Sequence, residues 1–203
     1  MSDLHFSEVL GRRLLILGDV GSGKTALTAR MISEAVSLKT ATEVTVIDMA
    51  PQRRKFKNVL IGGRIVDFLD VKMSIRLLAP KQKLHAPRIE GRNATETIDL
   101  ARANAKSIDE LLESFLANPT PILFINDASI YLQAGDTRRL LKTVRTVETF
   151  VANAYQGTTL LNDRHSGISR REQFALNALK RAMNKVIVLQ TKPTSTIQNK
   201  IVK

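Results

Sequence analysis

The chain of 203 residues contains no cysteine. This absence excludes disulfide bonds, thiol nucleophiles and thiolate-bound metal sites. Its 3 histidines are isolated from one another along the chain, so their spacing supports no histidine metal site. We therefore expect neither thiol chemistry nor a metal centre built from clustered side chains.

Long apolar runs are also missing. No stretch approaches the roughly 20 apolar residues of a membrane-spanning helix, and the N-terminal residues lack the charged and apolar regions of an export signal. We therefore expect a cytoplasmic protein without a membrane partner. The length of 203 residues, with 43% hydrophobic and 25% charged residues, predicts a single globular domain over residues 1–203.

Acidic residues are scarce relative to basic ones, which gives a net charge of +12. The surplus is concentrated in a basic segment from Arg53 to Arg92, where eleven Lys and Arg residues accompany three acidic ones. Such a field favours anionic partners, either nucleic acid or a phosphorylated small molecule, and a solvated basic face is the alternative. Phe56 is the one aromatic residue in the densest basic run, which is thin support for base stacking.

The stretch from Gly18 to Thr25 reads GDVGSGKT and matches the phosphate-loop pattern G-x-x-x-x-G-K-[ST]. It follows an apolar run at 14–17 and precedes a helical pattern at 24–38, which is the strand, loop and helix order that phosphate binding requires. The glycines let backbone N–H groups converge on phosphate oxygens, and the helix directs its electropositive N-terminus at the same anion. The predicted nucleotide-binding residues are Gly18, Asp19, Val20, Gly21, Ser22, Gly23, Lys24, Thr25 and Ala26.

Two of these residues have a predicted chemical role. Lys24 would contact the β and γ phosphates, and the Thr25 hydroxyl would bind Mg²⁺. We therefore expect ATP and Mg²⁺ as ligands. The guanine-selecting pattern [NT]-K-x-D is not met, because its nearest approach, at 191–194, has Thr194 in place of Asp, and this favours ATP over GTP.

Hydrophobic periodicity alternates between strand-like and helix-like along the chain. Predicted strands cover 13–17, 44–47, 121–125, 149–154 and 186–189; predicted helices cover 24–38, 93–118, 135–147 and 169–183. The stretch 149–154 could instead extend the preceding helix, but its β-forming residues favour a strand. Residues 53–92 are irregular, with one strand expected at 74–78. Strands separated by helices predict an α/β fold, a mostly parallel sheet of five or more strands with helices on both faces.

Polar residues end the predicted strands, at the sheet edge where ligands bind. They are Asp48, Asn126, Asp127, Asn153 and Gln190. Asp48 is an acid at a strand end, with substrate contact and turn capping as equal alternatives. Asn153 or Gln156 could sense the γ-phosphate or be structural.

The segment from Ile122 to Asp127 resembles a Walker B strand, in which an apolar strand ends in a carboxylate that holds Mg²⁺. Two registers are open. If 122–125 are the apolar positions, Asn126 takes the usual Asp place and Asp127 the place of a catalytic Glu. If residues 123–126 are the apolar positions, Asp127 takes the place of the Asp that holds the metal. A plain turn role for Asp127 is the alternative.

A polar loop at 162–171 leads into the last predicted helix, where Ser169 and Glu172 form a predicted capping box. Arg170 and Arg171 oppose the helix dipole there unless an anion lies between them. We hypothesise that Arg164, Arg170 and Arg171 close over phosphates, or act on a neighbouring subunit of a homo-oligomer. Ordinary surface charge is the alternative.

Gly18 to Thr25 and Ile122 to Asp127 together resemble the P-loop NTPase superfamily. The stretch 123–133 resembles uncharacterised archaeal P-loop ATPases, and the helices after the Walker B-like strand are similar to those of RecA-like cob(I)alamin adenosyltransferases. In P-loop kinases and related enzymes, an acid at the place of Asp48 often touches substrate, metal or the attacking water. The resemblance implies an ATP-hydrolysing enzyme. Its catalytic residues would be Lys24, Asp127, Asp48 and Arg170, and its metal ligands Thr25 and Asp127.

Two other functions stay open. One is a P-loop kinase or transferase whose small anionic acceptor binds at the basic segment. The other is a nucleic-acid-binding protein whose binding through the same segment is switched by the nucleotide.

Overall fold

The computed structural model describes residues 4–39, 41–56, 59–70 and 75–191. The strands are β1 (Arg13–Gly18), β2 (Val44–Asp48), β3 (Arg54–Phe56), β4 (Val59–Ile61), β5 (Arg76–Leu78), β6 (Ile122–Asn126), β7 (Thr149–Tyr155) and β8 (Lys185–Leu189). The α-helices are α1 (Lys24–Leu38), α2 (Pro87–Glu90), α3 (Ala94–Ala117), α4 (Ser129–Leu132), α5 (Thr137–Thr146) and α6 (Ile168–Arg181). Short 3-10 helices cover Phe6–Val9, Ala41–Glu43 and Ile65–Phe68. Lys57, Lys72, Ser74 and the stretch 192–194 lie outside the described residues.

Six strands form one parallel sheet in the order β5-β2-β6-β7-β1-β8. The strands β3 and β4 form a separate antiparallel hairpin. The predicted α/β fold is confirmed, and the sheet is consistent with the P-loop NTPase fold. Because β7 lies between β1 and β6, the end of β7 separates the phosphate loop from the end of the Walker B-like strand.

Helices cover both faces of the sheet. Alternate residues of β1 point to opposite sides, with Leu15 and Leu17 in the core that includes α3 to α6, and Leu14 and Ile16 in the core that includes α1. A strand buried on both faces reads as a continuous apolar run, which is the pattern that predicted it.

Two predicted helix starts have different outcomes. The start of α3 is confirmed, because Asn93 Oδ1 accepts a hydrogen bond from the Glu96 N–H at 2.9 Å. The capping box at Ser169 and Glu172 is wrong, because α6 already begins at Ile168. Asp163 Oδ2 accepts from the Ser169 N–H at 3.1 Å, so the side chain of Glu172 is left for another partner.

The basic segment is more ordered than its sequence predicts. It contains the β3–β4 hairpin, a 3-10 helix, β5 and α2. The strand expected at 74–78 is observed as β5, from Arg76 to Leu78. The hairpin strands are three residues long and β3 carries Arg54 and Lys55, so they lack the apolar alternation by which strands are recognised.

The Gly91→Ala variant tests the packing between α2 and α3. A Cβ at this position would lie 2.8 Å from Thr97 Cα and 2.9 Å from the Pro87 carbonyl oxygen, and both are backbone atoms. We expect Gly91→Ala to lower the free energy of unfolding by about 1–3 kcal/mol, the usual cost of overpacking. Urea denaturation measures the difference. An unchanged unfolding midpoint would show that α2 moves away from α3 without cost.

Candidate nucleotide-binding site

The loop between β1 and α1 has the backbone conformation that its glycines permit. Gly21 and Gly23 have φ angles of 73° and 88°, in the left-handed region that favours glycine. Gly23 is the N-cap of α1, and no side chain caps the helix. The first N–H groups of α1 are therefore left to bind an anion at the loop.

Lys24 lies inside the loop. Its Nζ donates a hydrogen bond to the Asp19 carbonyl oxygen at 2.7 Å. Burial lowers the pKa of Lys24, and the nearby carboxylates of Asp127 and Asp19 oppose that shift. A phosphate oxygen is a stronger acceptor for an ammonium group than a backbone carbonyl, so the contact with Asp19 is one that a phosphate can replace.

The side chain of Asp19 connects the loop to the segment after β7 through hydrogen bonds. Its Oδ2 accepts from the backbone N–H groups of Thr158 and Thr159 at 2.9 and 3.2 Å, and its Oδ1 accepts from Val20 N–H at 2.7 Å. Although burial raises it, these hydrogen bonds hold the pKa of Asp19 below its usual value. Asp19, a predicted nucleotide-binding residue, therefore uses its carboxylate to hold the loop in shape.

Four buried polar side chains form a hydrogen-bonded row along the strand ends, the strand-end row of Thr28, Asn153, Asn126 and Asp48. Asn153 Nδ2 donates to Thr28 Oγ1 and to Asn126 Oδ1, each at 2.9 Å. Asn126 Nδ2 donates in turn to Asp48 Oδ1 at 2.8 Å. The row links α1 to the ends of β7, β6 and β2.

The carboxylate of Asp48 is fully engaged in this row and in the loop after β4. It also accepts from the N–H groups of Ala50 at 3.2 Å and Ile65 at 2.9 Å, and lies 3.6 Å from Arg64 Nε. Burial raises the pKa of Asp48, while these partners oppose the shift. Asp48 does not line the cavity at the phosphate loop. Its predicted catalytic role stays a prediction.

Asp127 follows β6 in a left-handed conformation with φ of 56°. This conformation is uncommon for a residue other than glycine, although Asp adopts it more readily than most. Asn153 holds it there, because Asn153 Oδ1 accepts from the Asp127 N–H and the Asn153 carbonyl from Ala128 N–H, each at 2.9 Å. The two residues that compete for the Walker B role lie in different places. Asp127 lines the cavity together with Lys24, whereas Asn126 lies in the strand-end row.

The electrostatic surroundings of Asp127 favour its protonated form. Burial raises its pKa to about 7. The positive charges of Lys24 and Arg88 oppose this shift, whereas the carboxylates of Glu172 and Asp48 add to it. The approach of a further cation would favour the ionised form of Asp127 over the protonated form.

The cavity at the phosphate loop has a volume of about 130 Å³. The loop contributes Val20, Gly21, Lys24 and Thr25 to its wall. The rest of the wall is mostly apolar and includes Ile61 of the β3–β4 hairpin and Ala86, Pro87 and Ile89 at α2. The other polar side chains in the wall are Arg88, Asp127, Gln133 and Tyr155. Part of the basic segment therefore lines the cavity.

Sequence reasoning missed a buried cluster beside this cavity, formed by Arg88, Gln133 and Glu172. Arg88 Nη2 lies 2.8 Å from Glu172 Oε2, and Gln133 Nε2 donates to the same oxygen at 3.2 Å. Glu172 shares a helical face with Ala175, Leu176 and Leu179, all buried. That spacing is the signal that could have placed Glu172 inside the protein.

The structure does not bring the predicted arginine lid to the phosphate loop. Arg170 is exposed, Arg171 Nη2 donates to the carbonyl oxygens of Ala134 and Gly135 at 3.0 and 3.1 Å, and Arg164 is exposed. None of the three lines the cavity in the described part of the chain. A catalytic contact of Arg170 in a neighbouring copy stays a prediction.

The predicted phosphate sensors also have other partners. Asn153 is committed to the strand-end row, and Gln156 Oε1 accepts from Lys180 Nζ at 2.6 Å.

The oxygen ligands at the loop suit Mg²⁺ that arrives with a nucleotide. Within the described ranges, no group of three or more His, Cys, Asp or Glu side chains could hold a metal ion. Thr25 and Asp127 nevertheless place a hydroxyl and a carboxylate in one cavity. Mg²⁺ is commonly bound by one or two protein oxygens together with substrate phosphates and water, so these donors fit it.

Comparison with known proteins assigns this chain to no family. No family model and no curated protein matches the sequence. The chain is similar to the crystal structure of Pif1 helicase from Candida albicans, with 14% identity and a TM-score of 0.40 over 91% of this chain and 37% of that chain. The chain thus spans little more than a third of that helicase, and no functional conclusion rests on this likeness. The resemblances to archaeal P-loop ATPases and cob(I)alamin adenosyltransferases are not shown.

The parallel sheet, with the loop of residues 18–25 between β1 and α1, is consistent with the P-loop NTPase fold. Among the described residues, no helix is long and apolar enough to cross a membrane.

The raised pKa of Asp127 predicts a pH dependence of stability. Because the folded-state pKa of about 7 lies above the ordinary value of 3.8, the stabilising contribution of the protonated group is fully present below that ordinary value and is lost as pH rises from there through about 7. We expect Asp127→Asn to be more stable than the wild type at pH 8 by more than about 1 kcal/mol, since one pKa unit is worth about 1.4 kcal/mol. At pH 5 the difference should shrink.

Urea denaturation without nucleotide or Mg²⁺ measures this difference. Glu110→Gln, which removes an exposed carboxylate from α3, is the matched control and should leave the pH dependence unchanged. Equal stabilities of Asp127→Asn and the wild type at pH 8 would contradict the prediction.

Proposed function

We propose that the chain is an ATP- and Mg²⁺-binding P-loop NTPase that cleaves the bond between the β and γ phosphates. The observation that carries this proposal is one cavity lined by Lys24, Thr25 and Asp127 at the start of α1. These are the three side-chain types that phosphoryl transfer requires at a phosphate loop, namely a cation, a hydroxyl and a carboxylate.

Each of these residues has a distinct task in the proposed reaction. The backbone N–H groups of the loop and the ammonium group of Lys24 bind the phosphates and stabilise the charge that develops on them. Thr25 and Asp127 would hold Mg²⁺, which supplies further neutralisation of phosphate charge when it is bound. The apolar residues of the cavity wall would limit the entry of bulk water, which would strengthen these electrostatic interactions.

The Lys24→Ala variant tests nucleotide binding. Removal of the ammonium group should weaken the affinity for a fluorescent ATP analogue by at least about tenfold and abolish phosphate release, because a charge-assisted phosphate contact is lost. Fluorescence titration and a phosphate-release assay measure the two effects. The control is Lys106→Ala, which removes an exposed lysine from α3. An affinity equal to that of the wild type would refute the proposed site.

A second cavity, of about 230 Å³, supports a second candidate function. It lies beside the first, since Ala50 lines both, and Arg64, Lys81 and Lys83 contribute three positive charges to its wall. Asp48 supplies a negative charge, which is already hydrogen-bonded. We propose that this basic cavity binds the phosphates of an anionic partner, with single-stranded nucleic acid as the partner to test first and a small phosphorylated acceptor as the alternative.

Binding of a labelled single-stranded oligonucleotide at several salt concentrations tests this candidate. The Lys81→Ser/Lys83→Ser variant should lower the affinity and reduce the slope of log K against log salt by about one to two, because each lost phosphate contact reduces counterion release. Fluorescence anisotropy measures both quantities. The control, Lys106→Ser/Lys142→Ser, removes the same charge from exposed positions of α3 and α5. Absence of binding at low salt, or equal slopes for both variants, would rule out nucleic acid at this cavity.

A further inference from the structure

Gln133 is a cavity residue whose hydrogen bonding is incomplete. It follows α4 directly and is 3% exposed. Its Nε2 donates to Glu172, whereas its Oε1 is buried and has no hydrogen-bond partner. A buried acceptor without a donor is costly, and a catalytic role is one of the accepted reasons for such a group in a folded protein.

Glu172 determines which end of the Gln133 amide is left free. Its carboxylate is paired with Arg88 at 2.8 Å and accepts the Gln133 N–H at 3.2 Å. If the amide were turned over, the two oxygens would face each other, which is unfavourable while the carboxylate is ionised. The group that remains available beside the cavity is therefore an acceptor oxygen rather than an N–H donor.

The other polar side chains of the cavity already have partners or tasks. Arg88 is paired with Glu172, and the Tyr155 hydroxyl accepts a backbone N–H at 2.8 Å. In the proposed function, phosphate and metal are held by Lys24, Thr25 and Asp127. The Oε1 of Gln133 therefore needs a ligand that carries a hydrogen-bond donor. The water that attacks in a hydrolysis reaction is such a ligand.

We propose that Gln133 is the residue that positions the attacking water, with its Oε1 accepting a hydrogen bond from that water. This inference rests on the proposed function. The water oxygen forms a bond to the γ phosphorus while the bond from that phosphorus to the β–γ bridging oxygen breaks. The electron pair of the broken bond leaves with ADP. Both protons of the water remain on the released phosphate, because a neutral amide oxygen is too weak a base to keep one.

The contact requires a small movement of the Gln133 side chain. Protein atoms cover Oε1, so the terminal amide has to turn toward the cavity when nucleotide and water enter. The terminal torsion of glutamine is broad, so a partial turn that keeps the hydrogen bond from Nε2 to Glu172 costs little. Catalytic hydrogen bonds often tighten only when substrate is bound.

The Gln133→Met variant tests this role, because methionine keeps the length of the side chain and removes the acceptor oxygen. Three quantities are measured on the full chain: the single-turnover rate of ATP hydrolysis, the affinity for a fluorescent ATP analogue, and Tm. We expect the hydrolysis rate to fall by at least about tenfold, the affinity to stay within about threefold, and Tm to be unchanged or higher. The matched control is Gln173→Met, an exposed residue of α6, which should retain the wild-type rate.

The possible outcomes separate this inference from the proposed function. A Gln133→Met rate within about twofold of the wild type would overturn the role of Gln133 alone. A joint fall in rate, affinity and Tm would show a structural role and would also overturn it. If the wild type binds the ATP analogue but releases no phosphate in a single turnover, the hydrolysis proposal fails, and the role of Gln133 fails with it.

Discussion

The hydrogen bonds of the strand-end row hold the candidate site in one geometry. Asn153 binds Thr28 of α1 and Asn126 of β6 through one end of its amide, and supports the backbone of Asp127 through the other. This arrangement depends on β7 lying between β1 and β6 in the sheet. Because buried polar groups are costly when unpaired, the row tolerates no rearrangement of its members. It therefore fixes where the carboxylate of Asp127 meets the phosphate loop.

Sequence reasoning predicted the parts of the fold that depend on local pattern. The strand at β1, the phosphate loop and the helix from Lys24 to Leu38 were all predicted at their observed positions, because apolar periodicity and glycine spacing are local properties. The β3–β4 hairpin escaped prediction because its strands are only three residues long and lack apolar alternation. The capping-box prediction at Glu172 failed because pairing with Arg88, 84 positions away in sequence, is invisible to a local rule.

The same distinction applies to the candidate site. Lys24, Thr25 and Asp127 were predicted from motifs, and the structure brings them to one cavity. Gln133 belongs to no motif, and its significance depends on an unpaired oxygen that only a three-dimensional structure reveals. The left-handed backbone of Asp127 and the free acceptor of Gln133 are both departures from locally favourable structure. They lie in the wall of one cavity, and such departures tend to cluster at functional sites.

The most direct test of the proposed function is a crystal structure of the protein with a non-hydrolysable ATP analogue and Mg²⁺. The proposal predicts that the triphosphate lies in the phosphate loop and that Lys24 Nζ has left the Asp19 carbonyl oxygen for a phosphate oxygen. It also predicts that Thr25 and Asp127 face the metal ion. A triphosphate bound elsewhere, or Lys24 still bonded to Asp19 beside an occupied loop, would contradict it.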